Sequence, residues 1–537
     1  MLLMSFIQET HRRRTFAIIS HPDAGKTTLT EKLLLYGGAL QLAGSVRARK
    51  AERATASDWM ELERKRGISV SSTVLQFDYR DLRLNLLDTP GHKDFSEDTY
   101  RVLTAVDSVI MVIDSAKGIE AQTRKLYEVC RRRHIPIFTF MNKCDRPTMD
   151  PIELLDQLES ILQIKTYAVN WPMGTGVDFK GVYDRMEKKV HLFERAVRGA
   201  YQAPVSIGQF EDPYIQERMD PISYKRAVEE LAMIEGAGAS FNQKEILSGH
   251  LTPVYFGSAM NNFGVQLLLD GFADYSPAPA PRTSSIGVIQ PEDEAFSGFI
   301  FKIQGNMDPK HRDRITFLRV VSGKFTRGME VILSRTGQTF RINNAHKLFG
   351  QDREIIEEAY PGDIIGLIGY ADLTMGDTLT TKSGLIYHEI PRFPPEVFAF
   401  LNNPNPSKFK PFRKGVEQLL SEWVVQSYQL KNGNMEGPLL AAVGPLQFEV
   451  VQYRLQSEYG AESELRPANW KLLRWVDPSI DPKKLDSLML PNGCRLATDS
   501  LQQPVILFTS DWAMEYFQKE HPEIGLHQLP PSMVTLK

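Results

Sequence analysis

The sequence predicts a multidomain α/β protein in which a doubly wound sheet comes first, an antiparallel β-barrel second and an α+β domain last. Three observations lead to this prediction. Short apolar runs alternate with helical patterns over the first half of the chain, which is typical of a parallel sheet covered by helices. A proline-rich stretch, "SPAPAPR", interrupts the chain at residues 276–282. Short strands separated by glycine turns follow it.

The length and composition of the chain agree with several globular domains. At ~150 residues per domain, 537 residues suggest about three domains. Hydrophobic residues make up 42% and charged residues 24%, as in ordinary globular proteins. The formal net charge of −3 is not that of a chain that is basic overall, so any contact with RNA is expected from local patches.

The cysteines and the apolar runs indicate a cytoplasmic protein. There are three cysteines and no C-x-x-C pair, which argues against disulfides and a zinc site. The amino-terminal apolar run is too short for a signal peptide, and no apolar stretch approaches the ~18 residues of a membrane span. We therefore expect a reducing compartment and no membrane partner.

The first domain is predicted to span residues 1–280. We expect its strands at 16–19, 82–87, 109–113, 135–141 and 254–256, with helices at 28–35, 121–132 and 151–162 between them, in a parallel sheet covered on both faces. The chain between Asp145 and Ser258 is far longer than one βα unit needs, so we expect an inserted subdomain at about 165–245.

The rest of the chain is predicted to form two further domains. Residues 281–391 contain the short strands of the antiparallel barrel. A break at "RFPPE" begins the α+β domain, residues 392–537, with helices at 414–423 and 448–459 and strands at 439–443 and 504–509.

The stretch "SHPDAGKTT" resembles a phosphate-binding loop whose first glycine is replaced by Ser20. Gly25 stands where a side chain would block the phosphate, Lys26 can reach the β and γ phosphates, and the Thr27 hydroxyl can ligate Mg²⁺. An ordinary strand, turn and helix is the alternative. We expect the whole loop to contact the nucleotide: Ser20, His21, Pro22, Asp23, Ala24, Gly25, Lys26, Thr27 and Thr28.

The stretch "DTPGH" ends the next predicted strand. Asp88 occupies the place of the carboxylate that holds Mg²⁺ through water, and the Gly91 amide can meet the γ phosphate. The alternative is a strand that ends in a proline-glycine turn. The residues assigned to the site are Asp88, Thr89, Pro90, Gly91 and His92.

Two further strand ends can recognise guanine. Asp145 of "NKCD" can accept the N1 and N2 hydrogens of guanine, which adenine does not offer, while Asn142 and Lys143 brace the pocket. Ser258 and Ala259 follow the last strand, where the Ala259 amide can reach the guanine O6. A surface loop with no ligand is the alternative for each segment. Four such loops at strand ends, in this order, together predict a site for GTP and GDP.

Residues 45–73 show no strong periodicity and no compact apolar face. We interpret them as a switch whose Ser69 offers a second hydroxyl to Mg²⁺ when GTP is bound. A solvated charged loop is the alternative.

The segments "HPDAGKTT", "RGIS", "DTPGH", "NKCD" and "GSA" together resemble the translational GTPase superfamily, which implies the P-loop GTPase fold. Within it the chain resembles the bacterial release factor 3 family over nearly its whole length, including "WPMGTG", "FKGVYD" and residues 444–460. The resemblance implies that His92 orients the water that attacks the γ phosphate and that the ribosome activates it. A loop histidine without a catalytic task is the alternative. Ser20 and Ser69 depart from the residues more common in the superfamily, which leaves open how tightly the switch closes.

The resemblance also implies a function in translation termination. A ribosome-dependent GTPase of this kind promotes dissociation and recycling of class I release factors after peptide release. The implied partners are ribosomal RNA and ribosomal proteins, with class I release factors reached through the ribosome, and neither DNA nor a second copy of the chain. The alternatives are a GTP-sensing ribosome-binding protein and a stress-related translational GTPase.

Domain order argues against two other translation factors. A factor resembling elongation factor G needs more domains than the chain has room for, and one resembling elongation factor Tu needs a second barrel. A basic stretch with two phenylalanines, "KFKPFRK" at residues 408–414, can contact RNA. The start of a helix beside a core edge is the alternative.

Overall fold

The computed structural model of the protein describes residues 2–39, 72–194, 205–238, 240–305, 314–349, 352–388, 390, 393–431 and 437–530. The predicted switch residue Ser69 lies outside this part of the chain. None of the helices in the described ranges is long and apolar enough to cross a membrane.

The first domain alternates strands and helices. Its strands are β1 Arg13–Ser20, β2 Thr73–Tyr79, β3 Leu82–Asp88, β4 Ser108–Asp114, β5 Ile137–Asn142, β6 Lys165–Ala168, β7 Asn170–Met173, β8 Gly181–Asp184, β9 Lys189–Phe193, β10 Val205–Gly208 and β11 Leu251–Phe256. Its α-helices are α1 Leu2–His11, α2 Lys26–Tyr36, α3 Ser96–Thr104, α4 Ala121–Arg132, α5 Pro151–Gln157, α6 Pro213–Arg218, α7 Pro221–Ala237, α8 Gln243–Leu247 and α9 Val265–Tyr275.

The main sheet has seven strands in the order β2-β3-β1-β4-β5-β11-β6. Its central strands are buried on both faces, as parallel strands between two helical layers are. Alternate residues of β1 face opposite cores: Ala17 and Ile19 pack in one apolar cluster, and Phe16 and Ile18 in the other. The predicted doubly wound sheet is confirmed, and its strands end along one edge.

The five predicted strands of this sheet are parallel, and the structure adds an edge strand that was not predicted: β2 pairs antiparallel with β3 from Thr73 to Tyr79. The two strands are joined by Arg80 and Asp81 alone, and Arg80 adopts the left-handed conformation, with φ 51°. A two-residue connection can join only antiparallel neighbours.

The inserted region holds a four-stranded antiparallel sheet in the order β10-β9-β8-β7. Helices α6 and α7 follow this sheet in the chain. Strand β6, at the start of the predicted insert, pairs in parallel with β11 and so belongs to the main sheet.

The barrel domain is antiparallel, as predicted. Its strands are β12 Arg282–Ser284, β13 Gly287–Ile289, β14 Ser297–Gly305, β15 Arg314–Ser322, β16 Phe325–Thr326, β17 Glu330–Leu333, β18 Gln338–Arg341, β19 Ala345–Phe349, β20 Asp352–Ile355, β21 Glu358–Ala359, β22 Ile364–Ile368 and β23 Thr378–Thr380. Eight of them form one sheet in the order β18-β17-β23-β14-β15-β22-β19-β20.

A buried polar joint connects the first domain to the barrel. The Arg319 guanidinium donates to Asp107 Oδ2 at 2.5 Å and to the Gly362 carbonyl at 2.5 Å. Arg282, the last residue of the proline-rich stretch, donates to the carbonyls of Thr104 at 2.5 Å and Val106 at 3.0 Å. One apolar cluster continues from the first domain into the barrel, so the two domains share a core.

The last domain mixes helices with strands, as predicted, and its strands form one eight-stranded sheet. Its strands are β24 Val397–Asn402, β25 Gln426–Leu430, β26 Leu439–Ala442, β27 Glu464–Pro467, β28 Leu472–Val476, β29 Arg495–Thr498, β30 Pro504–Phe508 and β31 Leu526–His527. Its α-helices are α10 Phe409–Ser421, α11 Pro445–Tyr459, α12 Pro482–Asp486 and α13 Asp511–Glu520.

The stretch predicted as a possible RNA contact, residues 408–414, lies at the start of α10. Phe412 packs into the core of the last domain, whereas Phe409 is 58% exposed. The helix-start interpretation therefore describes its structure, and RNA binding stays a prediction.

Candidate functional site

The phosphate loop lies between β1 and α2. Ser20 is the last residue of β1 and pairs with Val112, so the strand continues through Ser20 and the turn begins at His21. Gly25 has φ +101°, and a Cβ there would lie 2.2 Å from Asn142 Nδ2. Only glycine meets both conditions without rearrangement, since L-residues rarely adopt such a φ.

The Lys26 ammonium lies at the start of α2 and contacts Asp88 Oδ1 at 2.5 Å. Both side chains are buried. Helix α2 has no acidic residue in its first turn and no side-chain cap at Gly25. Its amino-terminal N–H groups and a lysine therefore converge where a phosphate group is favoured.

Asn142 joins the phosphate loop to the loop that follows β11. Its Nδ2 donates to the Ala24 carbonyl at 2.8 Å, and its Oδ1 accepts from the Ala259 amide at 2.9 Å. Lys143 Nζ donates to the Asp23 carbonyl at 2.6 Å and to Asp114 Oδ2 at 2.8 Å. Three of the predicted loops are thus held together by two adjacent residues.

The guanine-recognising candidate Asp145 is half-buried and has no hydrogen-bond or ion-pair partner among the described residues. The neighbouring Cys144 is fully buried, and burial raises the pKa of its thiol to about 12. Its Sγ donates to the Met141 carbonyl at 3.4 Å. Cys144 is therefore a neutral packing group, and Asp145 is the member of this loop that can receive a base.

The loop after β3 contains the predicted catalytic histidine. Thr89 Oγ1 donates to the Ile18 carbonyl at 2.7 Å, so its hydroxyl is used inside the protein. A Cβ on Gly91 would lie 3.6 Å from the Pro22 Cα, which brings this loop beside the phosphate loop. His92 follows, with a side chain that is 29% exposed.

The His92 ring is held by the residue two positions later. Its Nδ1 accepts from the Asp94 amide N–H at 3.2 Å, and Asp94 Oδ1 lies 3.5 Å from the same nitrogen. Hydrogen bonding through Nδ1 leaves Nε2 as the nitrogen that can meet a water molecule.

Three residues of this region were not predicted. Asp114 ends β4 and pairs with Lys143. It could have been found by the reasoning that selected Asp88, because both are aspartates at the end of an apolar strand. Glu120 lies 3.3 Å from His21 Nε2, and Asp94 lies beside His92, but no local pattern in the sequence marks either one.

The remaining predicted residues lie on the same loops. Pro22, Thr27 and Thr28 are half-buried, and Ser258 and Pro90 are buried. The structure therefore brings together every described candidate at the carboxyl edge of the sheet, where open α/β sheets bind ligands. Ser69 is the candidate that lies outside the described residues.

The matches to known families follow the three-domain order. Residues 11–278 match the family described as "Elongation factor Tu GTP binding domain", residues 295–382 match "Elongation factor G domain 2", and residues 387–518 match "Class II release factor RF3, C-terminal domain".

Similar curated proteins extend over nearly the whole chain. "Peptide chain release factor 3" of Synechococcus elongatus is 53% identical over 531 residues, which is 98% of this chain and 95% of that protein. The protein of the same name from Gloeobacter violaceus is 53% identical over 97% of this chain and 98% of its own length. A solved structure from Thermus thermophilus has a TM-score of 0.69 at 22% identity, covering 91% of this chain and 72% of that one, and supports the fold alone.

Proposed function

Since the chain belongs to the peptide chain release factor 3 family and is a translation termination GTPase, we propose that it hydrolyses GTP on the ribosome and thereby recycles class I release factors. In this proposal the GTP-bound protein favours a ribosome conformation that releases the class I factor after the peptide has left. Hydrolysis then resets the protein to its GDP form. We also propose that the protein acts as a monomer in the cytoplasm.

The proposed guanine nucleotide site is supported by hydrogen bonds that connect the phosphate loop to the loops expected to contact the base. The observation that supports this most strongly is the pair of Asn142 hydrogen bonds, which connect the phosphate loop to Ala259. In the proposed complex Asp145 accepts hydrogens from the guanine, and the Ala259 amide faces O6. Lys26 and the first turn of α2 contact the phosphates.

The donor set also fits Mg²⁺. Thr27 offers a hydroxyl in the first turn of α2, and Asp88 offers a carboxylate that already lies beside the buried Lys26. Oxygen ligands of this kind suit a hard cation. We propose that Thr27 holds the ion directly and Asp88 holds it through water, with Ser69 as a further ligand. When bound, Mg²⁺ neutralises charge on the β and γ phosphates.

His92 is the proposed residue that orients the attacking water. Its ring is partly exposed and is held by one 3.2 Å hydrogen bond through Nδ1, which leaves Nε2 available. An imidazole held by one hydrogen bond needs a further partner to fix its orientation toward the attacking water. We propose that the ribosome supplies this partner, so that GTP turnover is slow in its absence.

Single-turnover GTP hydrolysis with and without ribosomes tests this proposal. We expect strong stimulation by ribosomes, and His92→Ala should bind ribosomes and GTP but turn over ~100- to 10,000-fold more slowly, the usual contribution of such a group. Equal rates in the parental protein and His92→Ala would overturn the catalytic assignment.

A second assay addresses recycling. A fluorescent class I release factor is bound to a termination complex after peptide release, and its dissociation is followed after addition of GTP and this protein. Acceleration is expected with GTP and not with GDP. Ribosome-stimulated hydrolysis without acceleration would favour a stress-related translational GTPase, which the names of the relatives do not favour.

A further inference from the structure

The carboxylate of Asp94 links His92 to the last domain of the protein. Asp94 is buried in the short 3₁₀ helix Lys93–Phe95, directly after His92. Its Oδ2 accepts from the Leu446 amide N–H at 2.9 Å, in the first turn of α11. Its Oδ1 lies 3.5 Å from His92 Nδ1. The two oxygens of one carboxylate therefore face two different domains.

Helix α11 takes an anionic group from another domain because it has none of its own. Its first turn contains no acidic residue, and its first residue is proline. The positive end of a helix favours a carboxylate near its free N–H groups, and Asp94 is the carboxylate that occupies this place.

Gly444 makes this approach possible. A Cβ at Gly444 would lie 2.1 Å from Asp94 Cγ and 2.5 Å from each of its carboxylate oxygens. Any other residue would displace Asp94 or the start of α11. Next to this contact, Phe95 and Val450 are both buried and pack together. An apolar contact therefore accompanies the hydrogen bond between Leu446 and Asp94.

The position of Asp94 matters for the tautomer of His92. While Nδ1 accepts from the Asp94 N–H, the proton of the neutral ring is on Nε2. If Nδ1 instead donates to Asp94 Oδ1, Nε2 is unprotonated and can accept a hydrogen bond from the attacking water. A carboxylate that selects the tautomer of a histidine in this way is a common arrangement in hydrolytic sites.

We propose that Asp94 is a positioning residue for His92 and that docking of α11 holds it in place, so that the last domain controls the orientation and tautomer of the imidazole. This inference rests on the proposed role of His92. It adds a route by which movement of the last domain on the ribosome changes the rate of hydrolysis without changing the nucleotide pocket.

Two substitutions on opposite sides of the contact test the proposal. Asp94→Asn keeps the size of the side chain and removes its charge, whereas Gly444→Ala leaves Asp94 intact and removes the space for it. We expect both to lower the ribosome-stimulated kcat by ~10- to 100-fold, as substitutions of groups that orient a reacting side chain do, with an unchanged KM for GTP.

Matched controls separate positioning from loss of structure. Asp78→Asn replaces an exposed carboxylate of β2, and Gly236→Ala replaces a glycine with no atom within 4 Å of the added Cβ. Both should keep the parental kcat. Affinity for a fluorescent GDP and the thermal midpoint are measured for all four variants; a purely structural role would lower these values together with kcat.

The ring tautomer supplies a readout that stability does not affect. In protein labelled with ¹⁵N-histidine, the His92 ring signals are assigned with His92→Gln and compared in Asp94→Asn and Gly444→Ala. A changed balance between the Nδ1–H and Nε2–H forms in both variants is expected. Unchanged ring signals, or a parental kcat in both variants while His92→Ala is inactive, would overturn the inference on Asp94 alone. A parental kcat in His92→Ala would instead overturn the catalytic assignment on which the inference rests.

Discussion

The Lys26 ammonium lies 2.5 Å from the Asp88 carboxylate, and the two form a buried ion pair within the proposed nucleotide site. Each of these groups has a proposed partner in the nucleotide complex, Lys26 the phosphates and Asp88 the Mg²⁺ ion. Binding therefore exchanges one set of charge contacts for another, and neither charge is left unpaired in the protein before binding.

This ion pair predicts that substitutions of Lys26 and Asp88 affect the stability of the protein and its affinity for GTP differently. Lys26→Ala should lower the free energy of unfolding of the nucleotide-free protein by ~3–5 kcal/mol, because Asp88 is left buried without a counter-charge. The double variant Lys26→Ala/Asp88→Asn should regain most of this stability but still fail to bind GTP. Denaturant unfolding and fluorescent-nucleotide titration measure the two quantities. Equal instability of the single and the double variant would contradict the explanation.

Gly25→Ala should impair two loops at once. The added methyl group would meet Asn142 Nδ2, and the φ of +101° is strained for alanine. We expect nucleotide affinity to fall and the protein to lose ~1–3 kcal/mol of stability from backbone strain. Gly236→Ala, where the methyl group meets nothing within 4 Å, is the control and should leave both quantities near the parental values.

Asp145→Asn should change the preferred base. An asparagine amide can donate a hydrogen bond to the C2 carbonyl of xanthine, whereas the aspartate accepts from the C2 amino group of guanine. We expect GTP affinity to fall by at least ~100-fold, because buried polar partners are left unpaired. Competition between GTP and XTP against a labelled nucleotide measures the effect. A loss of affinity for both nucleotides to the same extent would assign Asp145 to loop structure instead.

His191 predicts a pH dependence of stability. Burial lowers the pKa of this histidine, and its Nε2 has no hydrogen-bond partner among the described residues. When the pH falls below the ordinary pKa of histidine, His191 binds a proton in the unfolded chain but stays neutral in the folded protein. The contribution of the neutral His191 to the free energy of unfolding is therefore complete above about pH 6.5. It is lost as the pH falls, by up to ~1.4 kcal/mol per pH unit.

The measurement is denaturant unfolding between pH 5 and pH 7.5. His191→Gln should show a shallower loss of stability on the acid side than the parental protein. His250→Gln, which replaces an exposed histidine, should not. Parallel curves for His191→Gln and the parental protein would show that His191 does not titrate differently on folding.

The sequence predicted the features that depend on neighbouring residues. The phosphate loop, the aspartate after β3 and the guanine loop are each contained in a few consecutive positions, and the order of the domains follows from the spacing of strands and helices. The fold class is confirmed, while the site residues stay predictions until nucleotide binding is measured.

Features that depend on distant residues were missed. The antiparallel edge strand β2 lacks the Asn-Gly or Asp-Gly pair that marks a tight hairpin, and Arg80 supplies the left-handed residue instead. Asp94 owes its place to Gly444 and Leu446, which are more than three hundred residues away in the chain. No local sequence pattern indicates a contact between residues so far apart in the chain.

The joint between Arg319 and Asp107 determines how the chain can be divided. Removing the barrel at the proline-rich stretch would leave the buried Asp107 carboxylate without its guanidinium and expose an apolar core that both domains share. The nucleotide-binding domain and the barrel should therefore melt in one cooperative transition, and a fragment that ends at residue 280 should be insoluble. We therefore expect the first domain and the barrel to fold as one unit, although the proline-rich stretch marks a boundary between them in the sequence.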